Sequence, residues 1–231
     1  MKIGSGMFVL ISSGPYRDKN AYDLLIQAKT GLISITGTEQ TPSKAGISIA
    51  DIACGMYGYS GILTALLVRS RTGEGVALEP SLFDSLGEWM SYATYYSLGG
   101  SAPRRTGASH ATIAPYGPSN SGDNKVVYLG LQNEREWKRF CEVVLHKPEL
   151  ATDFRFDSNA KRVQNREQLD VDRQEVFQNL TAAEIIARLE AAQIANARMN
   201  SVQEFVDHPQ LKARNRWATV GSRPLLALLP P

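Results

Sequence analysis

The chain has 231 residues, of which 43% are hydrophobic and 21% charged, and its formal net charge is +2. This composition is ordinary for a globular protein with a buried core, and the length suits one large domain or two small ones. The basic residues are spread along the chain without an aromatic-interleaved basic patch, so we predict no nucleic-acid partner. We also predict no metal site, because the histidines are scattered without metal-ligand spacing: His110, His146 and His208.

Residues 1–13 hold a brief apolar patch, in which Phe8 to Ile11 predicts a short buried strand. The patch lacks a convincing cleavage site, so it is not typical of a signal peptide. The two cysteines, Cys54 and Cys141, lie in apolar helical patterns that favour buried thiols in a reducing compartment. We therefore predict a cytoplasmic protein.

A turn at Gly14-Pro15 and a charged loop precede the first predicted helix. Apolar residues at helical spacing place this helix from Ala21 to about Leu32, with Tyr22 and Asp23 in its first turn. The positive end of the helix dipole favours an acid in the first turn, and this is the more frequent role of such a residue. The polar loop at 36–42 follows the helix and is a candidate wall of any nearby site.

Residues 46–68 form the most distinctive stretch, an apolar run that carries one acid, Asp51, near its start. Its apolar residues surround the helix axis almost completely, which predicts a helix that is mostly enclosed. Gly73 predicts the end of this helix. One side of the helix carries three glycines and therefore has no side chains there: Gly55, Gly58 and Gly61. A neighbouring helix or the flat part of a ligand can approach this side at backbone distance.

Asp51 has two interpretations, and both can hold at once. In the first, Ser48-x-x-Asp51 is a capping box, in which both side chains bond amides of the first helical turn. In the second, Asp51 is a nucleophile at the mouth of a buried, glycine-lined helix, because carboxylates attack activated acyl groups and form covalent intermediates.

The run 47–68 is also long enough to cross a bilayer. Its glycines, its tyrosines and Asp51 count against a membrane span, so we predict no membrane partner.

Alternating residues at Val76–Glu79 predict a strand. A helix with an aromatic stripe follows from Ser81 to Leu98, and the stripe favours a core or a subunit interface. The glycine-rich stretch 99–108 is the clearest linker, and we place a domain boundary there. Its arginines, Arg104 and Arg105, are predicted to be solvated, although a phosphate-bearing ligand could use them.

The second half of the chain predicts a small α+β unit. Its elements are a turn at 121–124, a strand at 126–131, an amphipathic helix at 134–145 and two helices near 166–178 and 182–193. A capping box, Thr181-x-x-Glu184, opens the last of these helices. Residues 195–217 mix short helix and turn. His208 lies within them without a partner acid at a telling spacing, so we predict a structural role for it.

Four passages in register resemble the class III CoA-transferase family, also called the CaiB/BaiF family: residues 14–28, 51–66, 109–117 and 208–214. The resemblance covers nearly the whole chain and implies an α/β fold. It assigns residues 1–100 to part of a Rossmann-like large domain that contains the catalytic helix. Residues 101–205 become a linker and a small α+β domain, and residues 206–231 a linker returning toward the large domain. The resemblance also implies an interlocked homodimer, in which each chain threads through the other.

By the same resemblance, Asp51 matches the aspartate that attacks an acyl-CoA thioester and gives a mixed anhydride of enzyme and acyl group. The released CoA then forms an aspartyl-CoA thioester, which an incoming carboxylic acid takes over, with dicarboxylic acids favoured as acceptors. Tyr22 and Asp23 match a second family position, which faces the nucleophile across the substrate and has a positioning role. Coenzyme A enters as a substrate, and no permanently bound cofactor is expected. Four residues are candidates for binding it: Arg17, Lys19, Gly107 and His110.

Two alternatives stay open. The related CoA-thioester racemases (2-epimerases) place a histidine where Tyr22 stands and use it in an acid/base pair, so tyrosine there favours transfer. The family also carries βαβ units before the Gly14-Pro15 motif and a C-terminal return to the large domain. Here only residues 1–13 precede the motif and the chain ends on an apolar segment, 224–231. We therefore expect a chain truncated at both ends, and an inactive remnant that only folds or dimerises is the second alternative.

Overall fold

The computed structural model of the chain describes residues 13–221 and 223–226. The chain divides between Thr112 and Ile113 into two compact units. The first unit is described as helices and loops, and the second combines helices with antiparallel strands. This mixture of helix and sheet agrees with the predicted α/β class at that coarse level. The strand predicted at Phe8–Ile11 lies outside the described residues.

The described part of the first unit contains five helices: α1 (Asp23–Lys29), α2 (Leu32–Ile35), α3 (Ile49–Thr72), α4 (Leu82–Trp89) and α5 (Ser91–Leu98). The helix predicted up to Leu32 is divided by Gly31, whose φ of +85° suits glycine and separates α1 from α2. Tyr22 is the N-cap of α1, so it precedes the first turn and does not lie in it. The helix predicted at 81–98 is divided at Met90, whose ψ of 6° departs from the helical value.

Helix α3 is mostly exposed within the first unit, so the prediction of an enclosed helix is wrong. Its buried residues are confined to the first two turns: Ala50, Ala53 and Cys54. Large apolar residues are exposed along the whole helix: Ile52, Met56, Tyr59, Ile62, Leu63, Leu66, Leu67 and Val68. The reason is that the apolar cluster shared with α1 and α4 takes in only the start of α3. The buried members from these two helices are Ile26, Leu82 and Leu86.

Among the described helices, α3 is the one long and apolar enough to cross a membrane by length and composition. The core helix of a water-soluble protein meets the same test, so it does not assign α3 to a membrane. The absence of a membrane partner therefore stays a prediction.

The predicted end of α3 is confirmed, whereas the strand predicted at Val76–Glu79 is not formed. Gly73 ends the helix with φ of +78°, and its amide donates to the Arg69 carbonyl at 2.8 Å. In the described part of the chain, residues 76–80 have no strand partner. A strand without a neighbouring strand leaves its ladder hydrogen bonds unmade, so the alternating pattern alone does not produce one here.

The glycine side of α3 receives part of this segment. A Cβ atom placed on Gly58 would lie 3.6 Å from the ring of Pro80, and one on Gly61 would lie 3.5 Å from Leu78. A Cβ atom on Gly55, nearer the start of the helix, would meet no atom within 4 Å. The glycine side is therefore covered at Gly58 and Gly61 by an irregular segment of the same chain, and among the described residues nothing covers it at Gly55.

The second unit contains a three-stranded antiparallel sheet in the order β1 (Tyr116–Asn120), β2 (Val126–Gly130), β3 (Ala195–Arg198). Its helices are α6 (Glu134–Arg139), α7 (Asn159–Gln164), α8 (Arg166–Phe177), α9 (Ala182–Ala191), α10 (Val202–Val206) and α11 (Pro209–Ala213). A π-helical turn, Phe140–Leu145, extends α6, and a 3₁₀ turn follows at Pro148–Thr152. A second antiparallel pair joins β4 (Trp217–Val220) and β5 (Arg223–Leu226).

The packing of the second unit confirms several predictions. The apolar residues of the helix predicted at 134–145 are buried in its core: Trp137, Phe140, Cys141 and Val144. The capping box of Thr181 and Glu184 is formed at the start of α9. His208 caps α11 through its ring, since Nδ1 accepts a hydrogen bond from the Gln210 amide at 3.2 Å. The structural role predicted for His208 is therefore confirmed.

Candidate functional site

Asp51 is the third residue of α3, and its side chain is exposed. The predicted capping box is not formed, because the side chain of the N-cap residue, Ser48, makes no capping hydrogen bond. Ser48 has φ −74° and ψ 70°, outside the extended region that N-cap residues usually adopt. Within 13–221 and 223–226 the Asp51 carboxylate accepts no hydrogen bond and forms no ion pair. The capping interpretation of Asp51 is therefore wrong, and its carboxylate is unpaired.

The capping role at α3 belongs instead to Asp23, which comes from α1. Its Oδ1 accepts a hydrogen bond from the Ala50 amide, the second residue of α3, at 2.7 Å. Its Oδ2 accepts from the Gln27 side-chain nitrogen, Nε2, at 2.6 Å. The other end of the same amide, Gln27 Oε1, accepts from the Ala45 backbone nitrogen at 2.9 Å. These bonds tie α1 to both sides of the turn that leads into α3.

The first turns of α3 rest on an apolar floor. Ala50 and Cys54 pack there with Ile26 of α1 and with Leu82 of α4, and all four residues are buried. Burial raises the pKa of the Cys54 thiol. A hydrogen bond with Ser85 acts in the opposite direction, and the charge of Asp51 adds to the rise. Burial therefore favours the neutral thiol of Cys54 and not the thiolate.

An open side adjoins Asp51. Gly55 lies four residues after Asp51, so the two share one face of α3. Because a Cβ atom at Gly55 would meet no atom of the described residues within 4 Å, a ligand can approach the helix backbone beside the carboxylate. The Asp51 amide is also unused, since it donates to no acceptor within the described ranges. The amides of Ile49 and Ala50, by contrast, bond the Ile47 carbonyl and Asp23.

The other predicted site residues make contacts of their own. Tyr22 is 69% exposed at the N-cap of α1. Arg17 pairs with Asp18 at 3.2 Å, and both side chains are exposed. The Lys19 ammonium lies 4.3 Å from the ring centre of Tyr16. Of the predicted residues, Asp23 is thus the one that a hydrogen bond joins to the start of α3, and the assignment of Arg17 and Lys19 to coenzyme A stays a prediction.

Gly107 and His110 lie in the glycine-rich stretch and the residues that follow it. Gly107 has φ of +63°, and its amide donates to the Gly37 carbonyl at 2.8 Å. The His110 ring accepts a hydrogen bond at Nδ1 from the Thr112 amide at 3.2 Å. These bonds show how the two residues are held, and their role in coenzyme A binding also stays a prediction.

Arg105 is half-buried, and backbone carbonyls of the loop 36–42 and of Ser34 bind its side chain, so it is only partly solvated. Its guanidinium donates to three backbone carbonyls at 2.7 to 3.2 Å: those of Ser34, Thr38 and Glu39. The planar guanidinium presents several donors in fixed directions, which suits such a cluster of carbonyls. Arg105 therefore holds a loop of the first unit in place.

The sequence analysis did not predict that Gln27 and Arg105 hold backbone segments in position. Gln27 bonds a backbone amide 18 positions away, and Arg105 bonds carbonyls 66 to 71 positions away. The one available signal was the polar side chain of Gln27 at the fourth position after Asp23, since that spacing brings two side chains together on a helix.

Comparison with known proteins identifies relatives of this chain. The sequence profile of CoA-transferase family III matches residues 10–227. An acyl-CoA transferase from Fusarium pseudograminearum is 33% identical over 88% of this chain and 44% of its own length. An acetyl-CoA:oxalate CoA-transferase from Acetobacter aceti is 32% identical over 88% of this chain and 52% of its own. A succinyl-CoA:glutarate CoA-transferase from Mus musculus is 30% identical over 86% of this chain and 46% of its own length.

A solved structure gives the same result. A CAIB/BAIF family protein from Brucella suis matches with a TM-score of 0.78 and 30% identity, over 95% of this chain and 58% of its own length. The chain thus spans about half the length of the curated relatives it matches. The profile match runs through both units and includes Asp51, Asp23 and the four passages that carried the resemblance. The chain belongs to CoA-transferase family III.

Proposed function

We propose that this protein transfers CoA from an acyl-CoA thioester to a carboxylic acid, with Asp51 as the nucleophile. The observation that carries the proposal is the exposed carboxylate of Asp51, which has no hydrogen bond or ion pair within the described residues, on a helix start that Asp23 already caps. A carboxylate held by backbone amides would be a weak nucleophile, because those bonds stabilise its charge. Since Asp23 takes the capping role, Asp51 keeps its lone pairs available for attack.

The reaction can be written without any proton transfer. An Asp51 oxygen attacks the thioester carbonyl carbon, the C–S bond breaks, and CoA leaves as a thiolate. The product is a mixed anhydride between Asp51 and the acyl group. The thiolate then attacks the Asp51 carboxyl carbon of the anhydride, releasing the donor acid and leaving an aspartyl-CoA thioester.

The acceptor carboxylate reverses these steps. It attacks the aspartyl-CoA thioester, forms a second anhydride with Asp51 and releases the CoA thiolate. The thiolate attacks the acceptor's own carbonyl carbon, giving the new acyl-CoA and the free Asp51 carboxylate. Each addition places negative charge on a carbonyl oxygen at the start of α3. The helix dipole and the unused Asp51 amide favour negative charge there.

The substrate class is inferred from the relatives. Two of them are named for transfer to oxalate and between succinate and glutarate, so we propose a dicarboxylic acid as acceptor. Racemisation is the weaker candidate, because Tyr22 stands where racemases carry a histidine base and the relatives named above are transferases. The Rossmann-like assignment of residues 1–100, the interlocked homodimer and the cytoplasmic location belong to the same proposal.

Mass spectrometry of a single turnover tests the proposal. The protein is mixed with acetyl-CoA or succinyl-CoA, quenched in acid and digested, and the peptide that contains Asp51 is examined for an added acyl or CoA group. We expect the adduct in the parent and none in Asp51→Asn, whose transfer to oxalate or glutarate should fall on the order of 10³-fold or more.

The matched control is Glu74→Gln, which removes an exposed acid just beyond the other end of α3. Its adduct and its transfer rate should equal those of the parent. An adduct on a residue other than Asp51, or undiminished transfer by Asp51→Asn, would remove the nucleophile from the proposal. A parent without transfer or adduct would favour the inactive remnant.

A further inference from the structure

The side chain of Gln27 is completely buried, and both ends of its amide are used. Nε2 donates to Asp23 Oδ2 at 2.6 Å, and Oε1 accepts from the Ala45 amide at 2.9 Å. A buried polar side chain costs free energy unless its hydrogen bonds are made. Here the bonds reach two different elements, so the side chain connects α1 to the turn before α3.

Asp23 and Gln27 bond backbone amides on both sides of the start of α3. Asp23 holds Ala50, one residue before Asp51, and Gln27 holds Ala45, four residues before the first residue of α3. We call Asp23, Gln27 and the amides of Ala45 and Ala50 the Asp23–Gln27 clamp. Asp51 itself is not bonded by the clamp, so its carboxylate is oriented only through the backbone that the clamp fixes.

We propose that the Asp23–Gln27 clamp positions Asp51 for attack, with Gln27 as a positioning residue and Asp23 acting on the protein backbone and not on the substrate. The inference rests on the proposed function of Asp51. Positioning matters for such a reaction because attack on a thioester carbonyl needs the oxygen close to the carbon and aligned with it. A displacement of about 1 Å can lower a rate on the order of 100-fold.

The donor and acceptor pattern of the clamp provides a sharp test. The clamp uses both carboxylate oxygens of Asp23 as acceptors, the Gln27 amide nitrogen as donor and the Gln27 amide oxygen as acceptor, which suits two backbone amides and one side-chain bond. In Asp23→Asn one acceptor becomes a donor that faces the donor of Gln27. In Gln27→Glu the donor becomes an acceptor that faces the Asp23 carboxylate. Each single variant therefore breaks the clamp without changing its size.

The double variant Asp23→Asn with Gln27→Glu restores the pattern. The Asn oxygen accepts from Ala50, the Asn nitrogen donates to Glu, and the other Glu oxygen accepts from Ala45. We expect each single variant to lower kcat about 10- to 100-fold with KM changed less than about threefold. The double variant should return kcat to within about threefold of the parent.

The chain offers a matched control in Gln203 of α10 and Asp207, the C-cap residue of the same helix. Gln203 Nε2 donates to Asp207 Oδ2 at 2.9 Å, with the same residue types at the same spacing but on an exposed surface. Gln203→Glu and Asp207→Asn should leave kcat unchanged, singly and together. Hydrogen exchange of the Ala45 and Ala50 amides supplies a second measurement that needs no catalysis. Protection should fall about tenfold or more in the single clamp variants and return in the double variant.

The outcomes separate the two proposals. If exchange protection returns in the double variant while kcat stays low, Asp23 acts through its charge on the substrate and the positioning proposal is overturned. Single variants with unchanged kcat would also overturn it. If Asp51→Asn keeps its activity, the proposed function fails, but the exchange measurements still report whether the clamp fixes the start of α3.

Discussion

Asp23 caps a helix that begins far along the chain, since its Oδ1 accepts a hydrogen bond from the amide of Ala50, 27 positions later, at 2.7 Å. Two acids therefore meet at the start of α3 and have separate tasks. Asp23 satisfies an unpaired amide of the first turn, which is the ordinary stabilising use of an acid at this place. Asp51 is left with a carboxylate that no group in the described part of the chain bonds, which is what nucleophilic chemistry requires.

Two serines at N-cap positions give the first prediction. Ser81 accepts a hydrogen bond from the Asp84 amide at 3.0 Å, whereas Ser48 makes no capping bond. Ser81→Ala should therefore lower the free energy of unfolding by about 1 kcal/mol, and Ser48→Ala by less than about 0.5 kcal/mol. Urea denaturation of the two variants measures the difference. Equal losses would show that the cap of α3 is shared between Ser48 and Asp23.

Adjacent arginines give the second prediction. Arg105 bonds three carbonyls around the loop 36–42, and Arg104 is exposed. Arg105→Met should lower the free energy of unfolding by about 1 to 3 kcal/mol, because three carbonyls lose a charged donor. Arg104→Met is the control and should change it by less than about 0.5 kcal/mol.

Amide hydrogen exchange of Gly107 reports whether the loop 36–42 stays in place, because this amide bonds the Gly37 carbonyl. Exchange should become faster in Arg105→Met and stay unchanged in Arg104→Met. Identical exchange in both variants would mean that the loop is held without Arg105.

Local patterns predicted the ends of elements well. The prediction that Gly73 ends α3 is confirmed, because the left-handed conformation is a local preference of glycine. The capping box at Thr181 and Glu184 was read correctly because all its bonds lie within four residues. The identity of the candidate site also came from the sequence, since the passage beginning at Asp51 carries the family pattern.

The exposure of α3 could not be read from its composition. Apolar residues such as Leu63 and Leu67 show that a helix face favours burial, but not whether the neighbouring chain covers it. The strand predicted at Val76–Glu79 failed for a related reason, since a strand needs a partner that its own residues do not specify. Gln27 and Arg105 bond groups distant in sequence, and such bonds leave no periodic pattern.

Thiol chemistry gives the third prediction. Cys54 and Cys141 are both buried, and burial raises the pKa of Cys54 and raises that of Cys141 to about 12. Since the thiolate is the reactive form, neither thiol should be alkylated by iodoacetamide in the native protein at pH 8. Both should react after unfolding in urea. Fast native labelling of Cys54 would show that the floor beneath Asp51 opens to solvent.

Arg162 gives the fourth prediction. Its side chain is 3% exposed and donates to the carbonyls of Ala114 and Phe156 and to both carboxylate oxygens of Glu134. Arg162→Met should lower the free energy of unfolding of the second unit by about 1 to 3 kcal/mol, because two buried carbonyls lose a charged donor while Glu134, which is 57% exposed, stays in contact with water. The control is Lys161→Met, whose exposed pair with Asp157 should contribute less than about 1 kcal/mol.

The same pair predicts how stability depends on pH. The hydrogen bonds from Arg162 hold the pKa of Glu134 below its ordinary value, and the positive charge of Arg162 acts in the same direction. A lowered pKa in the folded state means that the stabilisation is fully present above the unfolded pKa, near 4.5. It is lost as the pH falls through the folded pKa, because the unfolded chain then binds the proton more readily. Glu134→Gln should therefore flatten the fall in stability below about pH 4.5, measured by urea denaturation from pH 7 to pH 3. A slope equal to that of the parent would show that the Glu134 carboxylate contributes nothing to acid sensitivity.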